Sequence, residues 1–357
     1  MTTVKNRAAR PLVMRCGAFG DMVMVSTLLR LLSARFESPV DLVSSGAWTA
    51  PLLRNEPALG HLQLLTSRKT PYPLCPSQWA LVRWLRARGR GPVYVADIEP
   101  ASRALLDRAG VHPDDIVART AADDALPRPW PDRWLELGMR DCARAYPTAS
   151  VAAAEFRLPR LVVSGDARIE MERWRSARGL AGPLVLFQPG NKRTHKRGRI
   201  ATQGHCKHWP PQRWAEVAAA IHATAPDAQV LLCGSAPEHA VLEDIRIACG
   251  GDRRVHNLAG DLPIPRLLAL MEIALGMVSV DTGPAHAAAA LGCPLVVLFG
   301  DAPPAVWHPL GPGPIALLGG GRGSESRVAD VDAAAVAAAW DRLALRRDAP
   351  QDLRSRA

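Results

Sequence analysis

Short apolar runs alternate with amphipathic stretches along most of the chain. PLVMRC (residues 11–16), VDLVSS (40–45), PVYVAD (92–97) and RLVVSG (160–165) predict strands, and the patterns over 22–35, 78–88 and 132–145 predict helices between them. The rhythm then restarts. PLVLFQPG (183–190), QVLLCGS (229–235), GMVSVD (276–281) and PLVVLFG (294–300) predict a second set of strands. Helices are expected over 211–224, 237–249, 264–273 and 284–291.

Near-continuous apolar strands joined by helices imply parallel sheets covered on both faces, hence a doubly wound α/β architecture built twice. The boundary is expected near Gly182, after the helical pattern of 166–179, giving domains at 1–182 and 183–347. The stretch GGGRGSESR after Gly319 reads as loop, residues 330–347 as a last helix, and the basic tail 348–357 as disordered.

Composition narrows the partners. The 357 residues carry 44 Lys and Arg against 34 Asp and Glu, a formal charge of +10 that favours anionic ligands: nucleotides, phosphorylated glycans, a lipid surface or nucleic acid. Aromatics are only 5% and no basic strand is interleaved with them, so nucleic acid is not expected as a partner. A non-catalytic nucleotide-binding or nucleic-acid-binding protein stays as the alternative of another class. The seven cysteines never form C-x-x-C pairs and read as reduced thiols. The N-terminal stretch lacks the apolar core of a signal peptide, and no segment is long enough to span a bilayer. A cytoplasmic protein is expected, with a peripheral contact to the inner membrane left open.

Polar residues gather where strands end and helices begin, the place at which open α/β sheets bind ligands. GAFGD (17–21) closes the first strand: Gly17 and Gly20 permit a tight turn, and Asp21 stands at the helix start, as a cap or as a group facing a ligand. The spacing is not G-x-G-x-x-G, so a nicotinamide cofactor is not supported. DTGPAH (281–286) is the counterpart in the second half. Pro284 suits a first helical turn, so the amides of Thr282, Gly283 and Ala285 are expected to form an anion site, with Asp281 orienting Thr282 or His286, or bonding sugar hydroxyls. The long stretch 191–206 reads as a basic loop leading to Lys207, whose freedom Trp209 and Pro210 limit. Gly234 ends another strand, and Glu238 follows in the next first turn, either as favourable helix charge or as a ribose ligand. The D-x-D at Asp330 and Asp332 precedes the last helix and reads as a cap, so no metal is expected.

The order and spacing of GAFGDMVMVSTLLRLL, KHWPPQRWAEVA, GSAPEH and SVDTGPAHAAAALGCPLVVLFG, followed by WHPLGP, resemble glycosyltransferase family 9, the ADP-heptose:lipopolysaccharide heptosyltransferases, over nearly the whole chain. The resemblance implies a GT-B fold, two Rossmann-like domains facing each other across a cleft, with acceptor on the N-terminal domain and donor nucleotide on the C-terminal one. It implies metal-independent, inverting transfer of heptose from ADP-heptose to an anionic glycolipid acceptor of the lipopolysaccharide core type. Asp21 then matches the catalytic base, and Lys207 the lysine on the donor phosphate. Asp281, Thr282, Gly283 and His286 match the donor-binding turn, and Glu238 the acid that bonds the ribose. Where other members carry a short Thr-rich segment, this chain carries QPGNKRTHKRGRIATQGHC, so Asn191, Lys192 and Arg193 stand in as phosphate or acceptor contacts. Another nucleotide sugar, or a different glycan or protein acceptor, is the alternative within the same chemistry.

Overall fold

The computed structural model describes residues 10–124 and 126–347, so the tail 348–357 lies outside the described residues. The chain divides into two compact units, Met1–Val162 and Val163–Ala357. The division falls ahead of the helix Gly165–Ala177, which is capped by the Ser164 hydroxyl accepting from the Ala167 amide (3.2 Å). Within the second unit this helix forms ion pairs from Arg168 to Glu272 and from Glu170 to Arg266.

Among the described residues, the first unit holds five parallel strands, β1 (Leu12–Met14), β2 (Val40–Ser45), β3 (Leu59–Leu65), β4 (Val93–Val95) and β5 (Ile116–Ala118), in the order β3-β2-β1-β4-β5. The second holds six, β6 (Leu184–Gln188), β7 (Gln229–Leu232), β8 (Val255–Asn257), β9 (Gly276–Val280), β10 (Leu295–Phe299) and β11 (Ile315–Gly319), in the order β11-β10-β9-β6-β7-β8. Both sheets are doubly wound, as expected from strands without polar alternation: β1, β6, β9 and β10 are buried along their whole length. Strand order reverses between β1 and β4 in one unit and between β6 and β9 in the other. Ligands bind such sheets beyond the carboxyl ends of the strands, at these reversals.

The core of the first unit includes Leu12, Met14, Leu81, Val95 and Leu106. The second packs Phe187, Trp209, Trp214, Val278, Leu298 and Trp340 together, with the Trp209 indole donating to the Val331 carbonyl (3.0 Å). Burying Trp209 fixes the backbone two residues after Lys207.

Several expectations are corrected. No strand forms over 160–165: Leu161 and Val163 are buried and Val162 is exposed, so the apolar pattern belongs to an unpaired extended segment that ends at the Ser164 cap. The pattern over 22–35 is two helices, Phe19–Met24 and Ser26–Arg35, and the expected loop at 191–206 opens with a short helix, Lys192–Arg197. Strands β3, β5, β8 and β11, the edges of the two sheets, were not predicted; β3 and β11 keep much of their surface exposed.

Candidate active site

In the first unit, the turn after β1 runs from Arg15 to the helix Phe19–Met24, whose third residue is Asp21. The Asp21 Oδ2 accepts from the Ala18 amide (2.7 Å), closing a capping turn, and Oδ1 accepts from Arg15 Nη2 (2.9 Å). Gly17 makes this turn possible: a Cβ there would lie 2.4 Å from the Asp21 Cβ. Gly20 is buried inside the helix. Arg15 reaches the other way with Nη1 to Asp97 Oδ1 (3.2 Å) at the end of β4. Asp97 is saturated, accepting also from the Cys16 amide (3.0 Å), Arg68 Nη1 (2.9 Å) and the Ser102 hydroxyl (3.2 Å). The Arg15 guanidinium lies over the Trp134 ring, 5.3 Å from its centroid. The Cys16 thiol is pushed up to about 12, by burial first and then by the Asp97 charge, which makes it an inert packing group.

In the second unit, β9 ends at Val280 and the helix Gly283–Ala290 follows after two residues, with Thr282 extended at its N-cap and Pro284 in the first turn. Asp281, 7% exposed, is held by Lys207, whose Nζ donates to the Asp281 carbonyl (2.9 Å) and to Oδ2 (2.6 Å). The acid at this helix start thus has a partner the sequence did not assign to it. Of the three amides expected to be open, that of Ala285 already donates to the Thr282 carbonyl (3.1 Å). The amides of Thr282 and Gly283 remain at the helix start, ahead of the first intrahelical bond. His286 is buried in the first turn.

Lys207 is itself positioned from its main chain: its amide donates to His205 Nδ1 (2.9 Å). Burial, and then the charges of Arg193 and Lys207, push the His205 imidazole down from its ordinary value. That leaves the ring neutral and able to accept from the amide.

Glu238 turns its carboxylate into the protein. It is 2% exposed, and its Oε2 accepts from the Ser235 amide (2.7 Å) and hydroxyl (2.8 Å) while Oε1 accepts from the Thr194 hydroxyl (2.6 Å). Both oxygens accept hydrogen bonds inside the protein, so Glu238 braces the loops after β6 and β7. The brace is tight: a Cβ on Gly190 would sit 1.9 Å from Glu238 Oε1. Gly234 packs against Glu238 and Leu242 in the same way, its own missing Cβ 3.0 Å from Leu242 Cδ1. Asn191 caps the helix Lys192–Arg197, its side chain accepting from the Arg193 amide (2.9 Å), and so is a structural cap. Lys192 and Arg193 are exposed on that helix. Arg199, further along, pairs with Asp244. Asp330 accepts from Arg322 and Asp332 pairs with Arg213 (3.4 Å), consistent with a structural D-x-D.

Sequence reasoning missed Arg15, Arg68 and Thr194. The signal for Arg15 was present: a cation at the end of a buried strand must find an acid, and Asp97 and Asp21 end or follow the neighbouring elements.

Residues 148–329, just over half the chain, match the model of glycosyltransferase family 9 (heptosyltransferase). Lipopolysaccharide heptosyltransferase 2 of Salmonella typhimurium is 28% identical over 316 residues, and that of Escherichia coli 27% over 328, each alignment covering 82% of this chain and 82% of the relative. The solved structure of E. coli ADP-heptose lps heptosyltransferase II superposes with a TM-score of 0.73 at 23% identity, over 95% of this chain and 100% of the other. An E. coli heptosyltransferase solved with ADP gives 0.66 at 19% identity, over 94% and 99%. The two doubly wound units are those of the GT-B fold, and the chain belongs to glycosyltransferase family 9 and is a glycosyltransferase.

Proposed function

We propose that this protein is an inverting heptosyltransferase that moves a heptose from ADP-heptose to an acceptor of the lipopolysaccharide core type, with the first unit taking the acceptor and the second the donor. The observation that carries the reading is the Lys207 ammonium, fixed by Asp281 at the start of the helix Gly283–Ala290. Lys Nζ has three protons; two go to Asp281, and the third is left for a phosphate oxygen. The helix dipole and the amides of Thr282 and Gly283 add positive potential at the same place.

In the proposed reaction Asp21 accepts the proton of the acceptor hydroxyl as that oxygen bonds to the anomeric carbon of the donor. The bond from the anomeric carbon to the diphosphate oxygen breaks, its electron pair leaves with ADP, and the configuration inverts. Lys207 and the two amides stabilise the charge that collects on the leaving diphosphate. This positive charge comes from the chain itself, so turnover is expected to persist in a chelator.

The reading also places the protein in the cytoplasm with a peripheral contact to the inner membrane. Support for that comes from the +10 charge, suited to an anionic glycolipid, and from the finding that no helix among the described residues is long and apolar enough to cross a membrane.

Calorimetric titration with ADP-heptose, ADP, UDP-sugars and GDP-sugars tests the donor. Selective binding of ADP-heptose, weakened in Asp281→Asn, is the expected result; tighter binding of another nucleotide sugar would overturn the heptose assignment. Transfer of radiolabelled heptose to truncated lipopolysaccharide core then tests the acceptor.

A further inference from the structure

We infer that Arg15 is the positioning residue that fixes the Asp21 carboxylate for proton transfer, using Asp97 as its anchor. The inference rests on the reading of Asp21 as the base. Arg15 bridges two carboxylates with the two ends of one fork, Nη2 to Asp21 Oδ1 at 2.9 Å and Nη1 to Asp97 Oδ1 at 3.2 Å. Its anchor does not move easily: Asp97 is 4% exposed and is held by the Cys16 amide, Arg68 and Ser102. The face of the guanidinium is closed by Trp134, which is fully buried, and the side chain of Arg15 is only 13% exposed. Its buried Nε finds no hydrogen-bond partner, so the two Nη atoms make the ion pairs that hold the planar group.

The consequence for Asp21 is geometric. The Ala18 amide takes one lone pair of Oδ2 and Arg15 one of Oδ1, so the carboxylate cannot rotate, and one lone pair on each oxygen is left for a hydroxyl. Remaining cations nearby have other work: Arg68 is engaged by Asp97 and lies 3.8 Å from Glu99, and Arg119 donates to the Ala96 carbonyl (3.2 Å). Arg15 alone among the described cations touches Asp21 with an ion pair.

Arg15→Gln, Arg15→Lys and Asp21→Asn, each assayed with ADP-heptose and truncated lipopolysaccharide core and each melted in parallel, test this. A base that has lost its fixed orientation is expected to lower kcat about a hundredfold in Arg15→Gln while KM for both substrates and the melting temperature hold. Arg15→Lys, which restores the charge and one of the two contacts, is expected to recover most of the lost kcat. Unchanged kcat in Arg15→Gln beside an inactive Asp21→Asn would overturn this inference alone. A joint fall of kcat, substrate affinity and melting temperature without rescue by Lys would reduce Arg15 to a packing element. An active Asp21→Asn would remove the base assignment itself.

Discussion

The ends of β1 and β9 use the same local device to different effect. In each, a strand of buried residues stops, a helix begins, an aspartate stands at or inside that helix start, and a long cation bonds the aspartate: Arg15 to Asp21 in the first unit, Lys207 to Asp281 in the second. The difference lies in which partner stays available. Asp21 keeps 16% of its side chain exposed and is steadied by an arginine that is itself anchored behind. Asp281 keeps 9%, and there the lysine is the more exposed member, at 23%. A fork with two fixed ends suits holding an acid still, whereas an ammonium with a proton to spare suits receiving an anion. One ion pair thus presents its carboxylate and the other its ammonium, and the chemistry expected at each follows from that.

The comparison breaks most sharply at Asp21. Replacing it with Asn is expected to lower kcat by about 10²–10⁴-fold with the fold intact, measured by heptose transfer and circular dichroism; a loss confined to KM would make Asp21 a binding group. Next is Lys207→Met, expected to cost about 10²–10³-fold in kcat, since it removes charge from the leaving diphosphate. It should also lower the melting temperature, because Asp281 is left without its counterion. A variant that binds ADP as tightly as the parent would contradict the assignment of the free proton to phosphate.

Glu238→Ala sharpens the contrast between a presented acid and a consumed one. With the Ser235 amide and hydroxyl left unpaired and Thr194 falling back on the Asn191 carbonyl, stability to urea is expected to fall by about 1–3 kcal/mol, while ADP affinity changes less than in Asp281→Asn. The smallest effect concerns a carboxylate with no part in the chemistry. Hydrogen bonding from Arg140 holds the Asp123 carboxyl at about 2, against an ordinary 3.8. A folded value below the ordinary one stabilises fully above about pH 4, and that stabilisation is lost as the pH falls through about 2. Asp123→Asn should therefore cost about 2 kcal/mol at pH 7 and almost nothing near pH 2, as read by denaturant titration at both pH values.

The strands that form sheet centres were legible because burial on both faces leaves no polar alternation: β2, β6, β9 and β10 fall within the apolar runs that predicted them. The edge β3 was not, since a strand paired on one side tolerates residues such as Gly60, His61 and Gln63, and the edges β5 and β8 are only three residues long. Of the candidate site, the turns at Asp21 and at 281–286 were readable from residues crowded at a strand end. The partners were not. Arg15 and Asp97 are 82 positions apart, and Lys207 and Asp281 are 74 apart, so their meeting depends on sheet order, which no local pattern encodes. The Thr194 partner of Glu238 was hidden for a related reason: a carboxylate in a first turn looks the same whatever hydroxyl it meets 44 residues upstream.

Both sheets are wholly parallel, so in each unit the loops leaving the strands carry every residue assigned here to chemistry, while the loops leading into them, such as 36–39, 225–228 and 250–254, carry none. For protein engineering this gives each unit a working rim and a handling rim. Affinity tags, fluorophores or surface tethers grafted into the incoming loops should leave the transfer reaction untouched, and exchange of the outgoing loops between relatives is the place to look for altered sugar preference.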